Sequence, residues 1–314
     1  IPVKTQMVPD ADFPTVPFPN PEEHGVMDSV TDLAKASNAD LALANDPDGD
    51  RLAVAIPTLS GDWRLLSGDE IGALLFNHVV RKTSGNNRKV VTTIVCSKLV
   101  SKIASKNGVE HTTTLTGFKW IIPAAYNDSS MQPIFCYEEA LGYATNTAVR
   151  DKDGISAALM MAELTAALKE HGQTLEDELD ALSLEYGHHV TKTWRVRFNS
   201  EKPSNVIPKV MKHLRDNPLS TVNQMKVLAV KDYLFQDNEA GLPNTDLIVI
   251  NIENNVRISI RPSGTDPMIK LYMEIVLPVT EREELPDASR RAETLLEDLG
   301  VSLENQFFGI IEAS

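Results

Sequence analysis

The chain has 314 residues, 42% apolar and 24% charged, which suits two or three globular domains and excludes wholesale disorder. Thirty basic against 44 acidic side chains leave a net charge of −14, which argues against nucleic acid or an anionic membrane surface as partner. No apolar run approaches the roughly 18 residues of a membrane span, and the two cysteines, Cys96 and Cys136, lie in apolar runs without metal-ligand spacing, so a reduced, cytoplasmic protein is expected.

The chain opens on Ile-Pro-Val-Lys, in the manner of a segment cut from something longer. Residues 1 to 25 are rich in proline (Pro2, Pro9, Pro14, Pro17, Pro19, Pro21), which favours an extended path. A helix is expected from about Asp28 to Ala36, then two short apolar strands, Ala42–Ala44 and Leu52–Ile56, joined by Asp46 to Arg51. Thr58–Asp62 has the composition of a hinge-like turn. An amphipathic helix beginning near Gly68 precedes a strand over Val90–Val95. A further helix over Leu99–Ser105 stops at Asn107-Gly108. Strands are expected at Val109–Leu115 and Pro133–Tyr137, and a long helix over Asp153–His171 with Ile155, Leu159, Ala162 and Ala166 as its apolar stripe. Helices alternating with short apolar strands predict α/β domains built on a mostly parallel, mixed sheet.

After Tyr186-Gly187 the pattern changes. A strand over His189–Phe198 and a helix near Ser204–Arg215 precede two β-rich runs, Leu247–Ile252 and Val256–Ile260, paired as a hairpin through Glu253-Asn254-Asn255. Met268–Val276 reads as another strand and a helix starts near Asp287. Consecutive strands with flanking helices predict a C-terminal α+β domain with an antiparallel sheet.

Five stretches carry candidate chemistry. In Asp46-Pro-Asp48-Gly-Asp50-Arg51, carboxylates at every second position of a loop can aim three oxygens at one small hard cation, and Mg²⁺ accepts such ligands. An EF-hand is excluded, because Pro57 stands at the twelfth loop position and strands flank the loop. The competing reading is a solvated acidic turn held by Arg51 and nearby lysines. Arg261-Pro-Ser263-Gly264-Thr265-Asp266 offers a bidentate fork, two hydroxyls and a glycine that admits an oxyanion to backbone N–H groups, with Lys270 close by; standing alone it also fits an ordinary turn. Glu138 and Glu139, after a buried strand, suit either sugar hydroxyls at a sheet's carboxyl edge or a helix N-terminus. Lys152 suits a phosphate ligand or an acid/base, with Asp153 as a helix cap. Gly117-Phe118-Lys119-Trp120 has the turn and amphipathic side chains of a sugar-contacting loop, although Phe118 and Trp120 equally suit a core. His188 and His189 are read as structural, since neighbours on a strand point to opposite faces.

Taken together these motifs resemble the α-D-phosphohexomutase superfamily, the phosphoglucomutases and phosphomannomutases. Asp46–Arg51 is similar to its metal loop, Gly117–Trp120 to its sugar-specificity loop, Glu138–Gly142 to its sugar-hydroxyl loop and Arg261–Thr265 to its phosphate loop, in the same order along essentially the whole chain. The resemblance implies residues 1–60 as the end of a second domain with the metal loop, 61–186 as a third domain with the sugar loops, and 187–314 as a fourth with the phosphate loop. It implies one Mg²⁺ on Asp46, Asp48 and Asp50, a phosphoserine that exchanges its phosphoryl group with a sugar phosphate through a bisphosphate such as glucose 1,6-bisphosphate, and hexose phosphates as partners. Arg51 and Lys152 would serve catalysis, and Gly117, Phe118, Lys119, Glu138, Glu139, Arg261, Ser263, Gly264, Thr265 and Lys270 would bind substrate. Two departures stand out. Ala140 replaces the serine many members carry in the sugar loop, which leaves glucose, mannose and pentose open. No Ser-His-Asn segment like the family's catalytic serine loop occurs in the sequence. The expectation is therefore a mutase fragment, inactive alone and lacking its N-terminal catalytic portion. The alternative is a non-catalytic sugar-phosphate-binding protein.

Overall fold

The computed structural model describes residues 1–58, 61–198, 203–235, 242–264 and 267–312. They form two compact units, 1–181 and 182–314.

In the first unit, α1 (Asp28–Ala36) precedes the hairpin of β1 (Ala42–Asn45) and β2 (Leu52–Pro57), which pair antiparallel with Asn45 opposite Leu52. The Thr58 N–H donates to the Asp62 carbonyl at 2.7 Å, and β3 (Trp63–Leu65) pairs antiparallel with β2; the centre of the expected hinge-like turn, residues 59 and 60, lies outside the described residues. The second sheet follows from α2 (Gly68–Lys82), β4 (Arg88–Thr93), α3 (Leu99–Lys106), β5 (Glu110–Thr114), α4 (Phe118–Ala125), β6 (Gln132–Glu138) and β7 (Gly142–Ala144). Its order is β5-β4-β6-β7; the first three strands are parallel and β7 turns back antiparallel. The predicted mixed sheet is the observed one.

A capping box starts α2: the Ser67 hydroxyl accepts the Glu70 N–H and the Glu70 carboxylate accepts the Ser67 N–H. The helix is not amphipathic. Ile71 to Val80 are buried throughout, because the helix lies between β6, α3 and α5 (Gly154–Glu170). Phe76, Phe135, Tyr137 and Tyr143 stack in series with centroids 5.9, 6.1 and 6.3 Å apart and form the spine of this core. Each is essentially fully buried, which contributes roughly 1.5–3 kcal/mol per side chain.

Helix α5 departs from the sequence expectation. Ile155 and Leu159 are 69% and 73% exposed, and Ala162 and Ala166 also face solvent. Ala157, Met161, Leu164 and Leu168 are buried instead. This helix carries two apolar stripes, so periodicity alone does not choose between them. The choice is made at Gly154, where an added Cβ would lie 2.2 Å from the Arg51 carbonyl oxygen and 2.5 Å from Asn45 Nδ2. That approach fixes which face of α5 turns inward. The helix α6 (Leu175–Tyr186) follows.

The second unit is an antiparallel sheet of β8 (His188–Arg197), β9 (Thr221–Val222), β10 (Met225–Asp232), β11 (Ile248–Ile252), β12 (Val256–Pro262) and β13 (Met268–Leu277) in the order β8-β13-β12-β11-β10-β9. The predicted hairpin between β11 and β12 turns through Asn254 and Asn255, both at φ near +60°. Helices α7 (Pro203–Asp216) and α8 (Leu285–Glu312) cover one face, packing Val210, Met211, Leu214, Leu296, Leu299 and Phe307 on Ile258, Ile260, Ile269 and Leu271. His188 and His189 take separate partners: the former meets Ser183 and Ser289, the latter Glu274 at 2.8 Å. Both cysteines are buried free thiols. Among the described residues no helix is long and apolar enough to cross a membrane.

Candidate functional site

The acidic loop is the connection between β1 and β2. Asn45 Nδ2 donates to the Arg51 carbonyl at 2.7 Å and closes its base, and the Gly49 N–H donates to the Asp46 carbonyl at 3.0 Å. Gly49 sits at φ +71°, a conformation that a side chain would strain. In this path one carboxylate oxygen from each of Asp46, Asp48 and Asp50 lies within 4.8 Å of the others. Asp46 is buried, Asp50 half-buried and Asp48 exposed.

Two cations attend them. Arg51 Nε donates to Asp46 Oδ2 at 2.6 Å, the Arg51 backbone N–H donates to Asp46 Oδ1 at 3.0 Å, and Arg51 Nη1 reaches Asn20 Oδ1 at 3.1 Å. Burial opposes the Asp46 charge, but the hydrogen bonds and charge of Arg51 hold the carboxyl below its usual range. Lys152 Nζ lies 2.6 Å from Asp50 Oδ2 and 5.7 Å from the centre of the Phe118 ring. Burial works against this ammonium too, and Asp50, then Asp151 and Glu138, raise its pKa in spite of it. Each aspartate keeps oxygen lone pairs beyond these contacts, so the donor set is all hard oxygen and suits Mg²⁺. Beside the loop, Phe18, Pro19 and Asn20 with Asp46, Pro47, Asp48 and Arg51 line an open depression of about 380 Å³.

The two sugar-loop candidates meet each other. Glu138 Oε2 accepts the Gly117 N–H at 3.0 Å, where β6 ends and α4 begins. Burial raises the Glu138 pKa, with Lys152 and the Gly117 N–H acting the other way. The same stretch is pinned to the acidic loop: Arg51 bridges Gly142, and the Leu52 N–H donates to the Leu141 carbonyl at 3.0 Å. Asp46–Arg51, Gly117, Phe118, Glu138 and Lys152 thus form one cluster.

Other candidates stand elsewhere. Phe118 is buried at 5% exposure, whereas Lys119 is exposed over the ring of Trp120 at 5.9 Å. Glu139 turns away from Glu138, and its Oε2 accepts the Thr93 hydroxyl at 3.1 Å with the Cys96 thiol at 3.7 Å. Burial, then the charges of Glu138 and Asp69, push its carboxyl up to about 7. Asp69 Oδ1 in turn accepts the Ser97 N–H at 2.7 Å and the Tyr137 hydroxyl at 2.9 Å. Asn20, Asp69 and Thr93 escaped the sequence reading; each is far from its partner along the chain, and no local pattern announces it. Asp153 is the N-cap of α5, accepting the Ile155 N–H at 3.1 Å. In the second unit, Arg261 stands one residue before the end of β12, opposite Lys270 on β13, and the Ser263 N–H donates to the Met268 carbonyl at 2.9 Å. Gly264 is exposed, and Thr265 lies outside the described residues.

Residues 67–186 match the family model for phosphoglucomutase/phosphomannomutase, alpha/beta/alpha domain III, and residues 1–61 the model for alpha/beta/alpha domain II. A Haemophilus influenzae protein named "Probable phosphomannomutase" is 39% identical over 273 residues, 87% of this chain and 53% of that one. A Staphylococcus aureus protein named phosphoglucomutase is 33% identical over 287 residues, 88% of this chain and 52% of its own length. The chain therefore spans about half the length of the curated relatives it matches. In fold it is similar to parafusin, a phosphoglucomutase from Paramecium, with a TM-score of 0.59 at 19% identity over 86% of this chain and 46% of that one. A phosphoglucomutase/phosphomannomutase family protein from Burkholderia thailandensis gives 0.54 at 17% identity over 88% and 51%. Two domain models in sequence order and relatives above 30% identity along most of its length make this chain a member of the phosphoglucomutase/phosphomannomutase family.

Proposed function

We propose that this chain supplies the metal, sugar and phosphate loops of a mutase that interconverts hexose 1-phosphate and hexose 6-phosphate, with glucose or mannose as the sugar. The observation that carries the reading is the single cluster of three aspartate oxygens, Arg51, Lys152, Glu138 and the Gly117 N–H. We assign residues 1–60 to the metal-loop part, 61–186 to the sugar-loop domain and 187–314 to the phosphate-loop domain.

Asp46, Asp48 and Asp50 would hold one Mg²⁺, which when bound offsets the charge on a transferring phosphoryl group. The chain's own side chains do the rest. Arg51 is clamped by Asp46 and Asn20, so its guanidinium is fixed beside the loop before any ligand arrives. Lys152 keeps its proton through Asp50 and presents a cation at the loop's edge. Glu138, braced by Gly117, accepts hydrogen bonds from sugar hydroxyls, while Phe118 underlies Lys152 and Lys119 faces outward at the loop's rim. Glu139 supports this loop from behind through Thr93. Arg261, Ser263, Gly264, Thr265 and Lys270 take the phosphate that is not transferred.

No Ser-His-Asn segment occurs in these 314 residues, so the phosphoserine is proposed to come from a separate N-terminal portion. The test is turnover of glucose 1-phosphate with Mg²⁺ and a trace of glucose 1,6-bisphosphate. The 314-residue chain alone should be inactive. Adding a separately produced portion carrying the serine should restore turnover, and Asp48→Asn should then lower kcat by roughly a hundredfold or more. Turnover by the chain alone that survives repurification would overturn the split-site reading, and an Asp48→Asn enzyme at full rate would remove the metal assignment.

A further inference from the structure

Lys152 sits near the end of the loop that joins β7 to α5, residues 145–153. The base of this loop is closed twice. The Asp153 N–H donates to the Tyr143 carbonyl at 2.8 Å, and the Thr145 and Ser156 hydroxyls meet at 2.9 Å. Between these points the hydrogen bonds are local: Asn146 Oδ1 accepts the Ala148 N–H and Asp151 Oδ1 accepts the Lys152 N–H, both at 2.8 Å. Residues 146–151 are all exposed, so burial of apolar side chains does not hold the tip in place.

One side chain of the tip reaches a distant element. The Arg150 guanidinium carbon stands over the Tyr126 ring, 4.5 Å from its centre, where the negative face of the ring attracts a cation. Tyr126 directly follows α4, and the first residue of that helix, Phe118, is the ring over which Lys152 Nζ lies at 5.7 Å. At 1.5 Å of rise per residue the two rings stand about 12 Å apart along the helix, and Arg150 and Lys152, separated by at most about 7 Å of backbone, address one each. The loop therefore spans α4, with a cation over a ring at either end. Lys152 needs such a frame. Its ammonium meets Asp50 at 2.6 Å from the end of a long, flexible side chain. Arg150 fixes the backbone two residues before it and Asp153 fixes it one residue after.

We propose that Arg150 is a positioning residue: stacked on Tyr126, it pins the tip of the β7–α5 loop to α4 and so keeps the Lys152 ammonium beside Asp50. This rests on the reading of Lys152 as a cation of the site and extends it to a pair, Arg150 and Tyr126, that stands outside the cluster itself. The same contact ties Lys152 to the helix that begins at Gly117 and Phe118.

The experiment exposes the metal-free 314-residue chain to an amine-reactive reagent at one fixed pH and reads labelling of individual lysines by peptide mass spectrometry. Lys169, near the other end of α5 and paired with Asp40, is the internal reference. Arg150→Ala and Tyr126→Leu should each raise labelling of Lys152 relative to Lys169 roughly two- to fivefold, the scale of one exposed cation–π contact. The double variant should add nothing to either single one, and Tyr126→Phe, which keeps the ring, should label as the parent does. A parental ratio in Arg150→Ala would overturn the proposal, as would additive effects of the two substitutions or an equal rise at both lysines. In the mutase reconstituted with a serine-bearing portion, a full rate for Lys152→Ala would remove Lys152 from the site while the labelling result stands, so the two readings fail separately.

Discussion

Adjacent glutamates on one strand end have opposite tasks because extended backbone sends successive side chains to opposite sides. Glu138 faces Gly117 and Lys152; Glu139 faces Thr93, Cys96 and Asp69. The sequence shows that carboxylates gather here, but not that one of them is enclosed, because Thr93 and Asp69 come from other elements. Enclosure has a measurable consequence. The Glu139 carboxyl is raised from 4.5 to about 7, so between those values the folded state keeps a proton that the unfolded chain releases. Stability must then fall as pH rises through that window, by about 3.5 kcal/mol at most, taking about 1.4 kcal/mol per unit. Glu139→Gln keeps the shape and removes the titration. Thermal melts between pH 4.5 and 8 should show the variant gaining on the parent as pH rises. Parallel curves for the two proteins would mean that Glu139 ionises as freely in the fold as outside it.

At the scale of elements, the acidic loop was legible because its three aspartates are contiguous and its flanking strands are plainly apolar. The inward face of α5 was not, since two apolar stripes run along it and only tertiary contact selects one. Likewise α2 is expected to be amphipathic, yet its Asp69, Asn77 and His78 are buried, Asn77 donating to Glu178 at 2.6 Å and Asp69 bound to Ser97 and Tyr137. The contact that orients α5 also steadies the acidic loop, since Gly154 lies against the Arg51 carbonyl and Asn45 holds that same carbonyl. Gly154→Ala should push the helix away from the loop and destabilise the first unit by roughly 1–3 kcal/mol, the usual cost of overpacking. Mg²⁺ affinity should fall in parallel, because Asp46 and Asp50 flank the displaced carbonyl. Ile155→Ser, on the exposed stripe of the same helix, is the control and should change stability by less than about 0.5 kcal/mol. Equal denaturant midpoints for Gly154→Ala and the parent would show that the backbone absorbs the extra methyl at no cost.

At the scale of the molecule, the two units differ in how they make a core. The first packs one enclosed helix, α2, against β6, α3 and α5, with a stacked aromatic series running from that helix onto β6 and β7. The second closes a core from residues 196 to 307 alone, joining all its long strands to α7 and α8. Every strand of its sheet lies within residues 182–314. A chain of that size buries roughly two thirds of its unfolded surface, enough for independent stability. Residues 182–314 expressed alone should therefore melt cooperatively, with a single transition seen alike by far-UV and near-UV circular dichroism. The proposed phosphate ligands Arg261, Ser263 and Lys270 all belong to this piece, so it should also bind inorganic phosphate with the affinity of the 314-residue chain. A broad melt without near-UV signal would show that the sheet needs the rest of the chain to order its side chains. A cooperative melt with phosphate affinity lost would place a necessary cation outside residues 182–314.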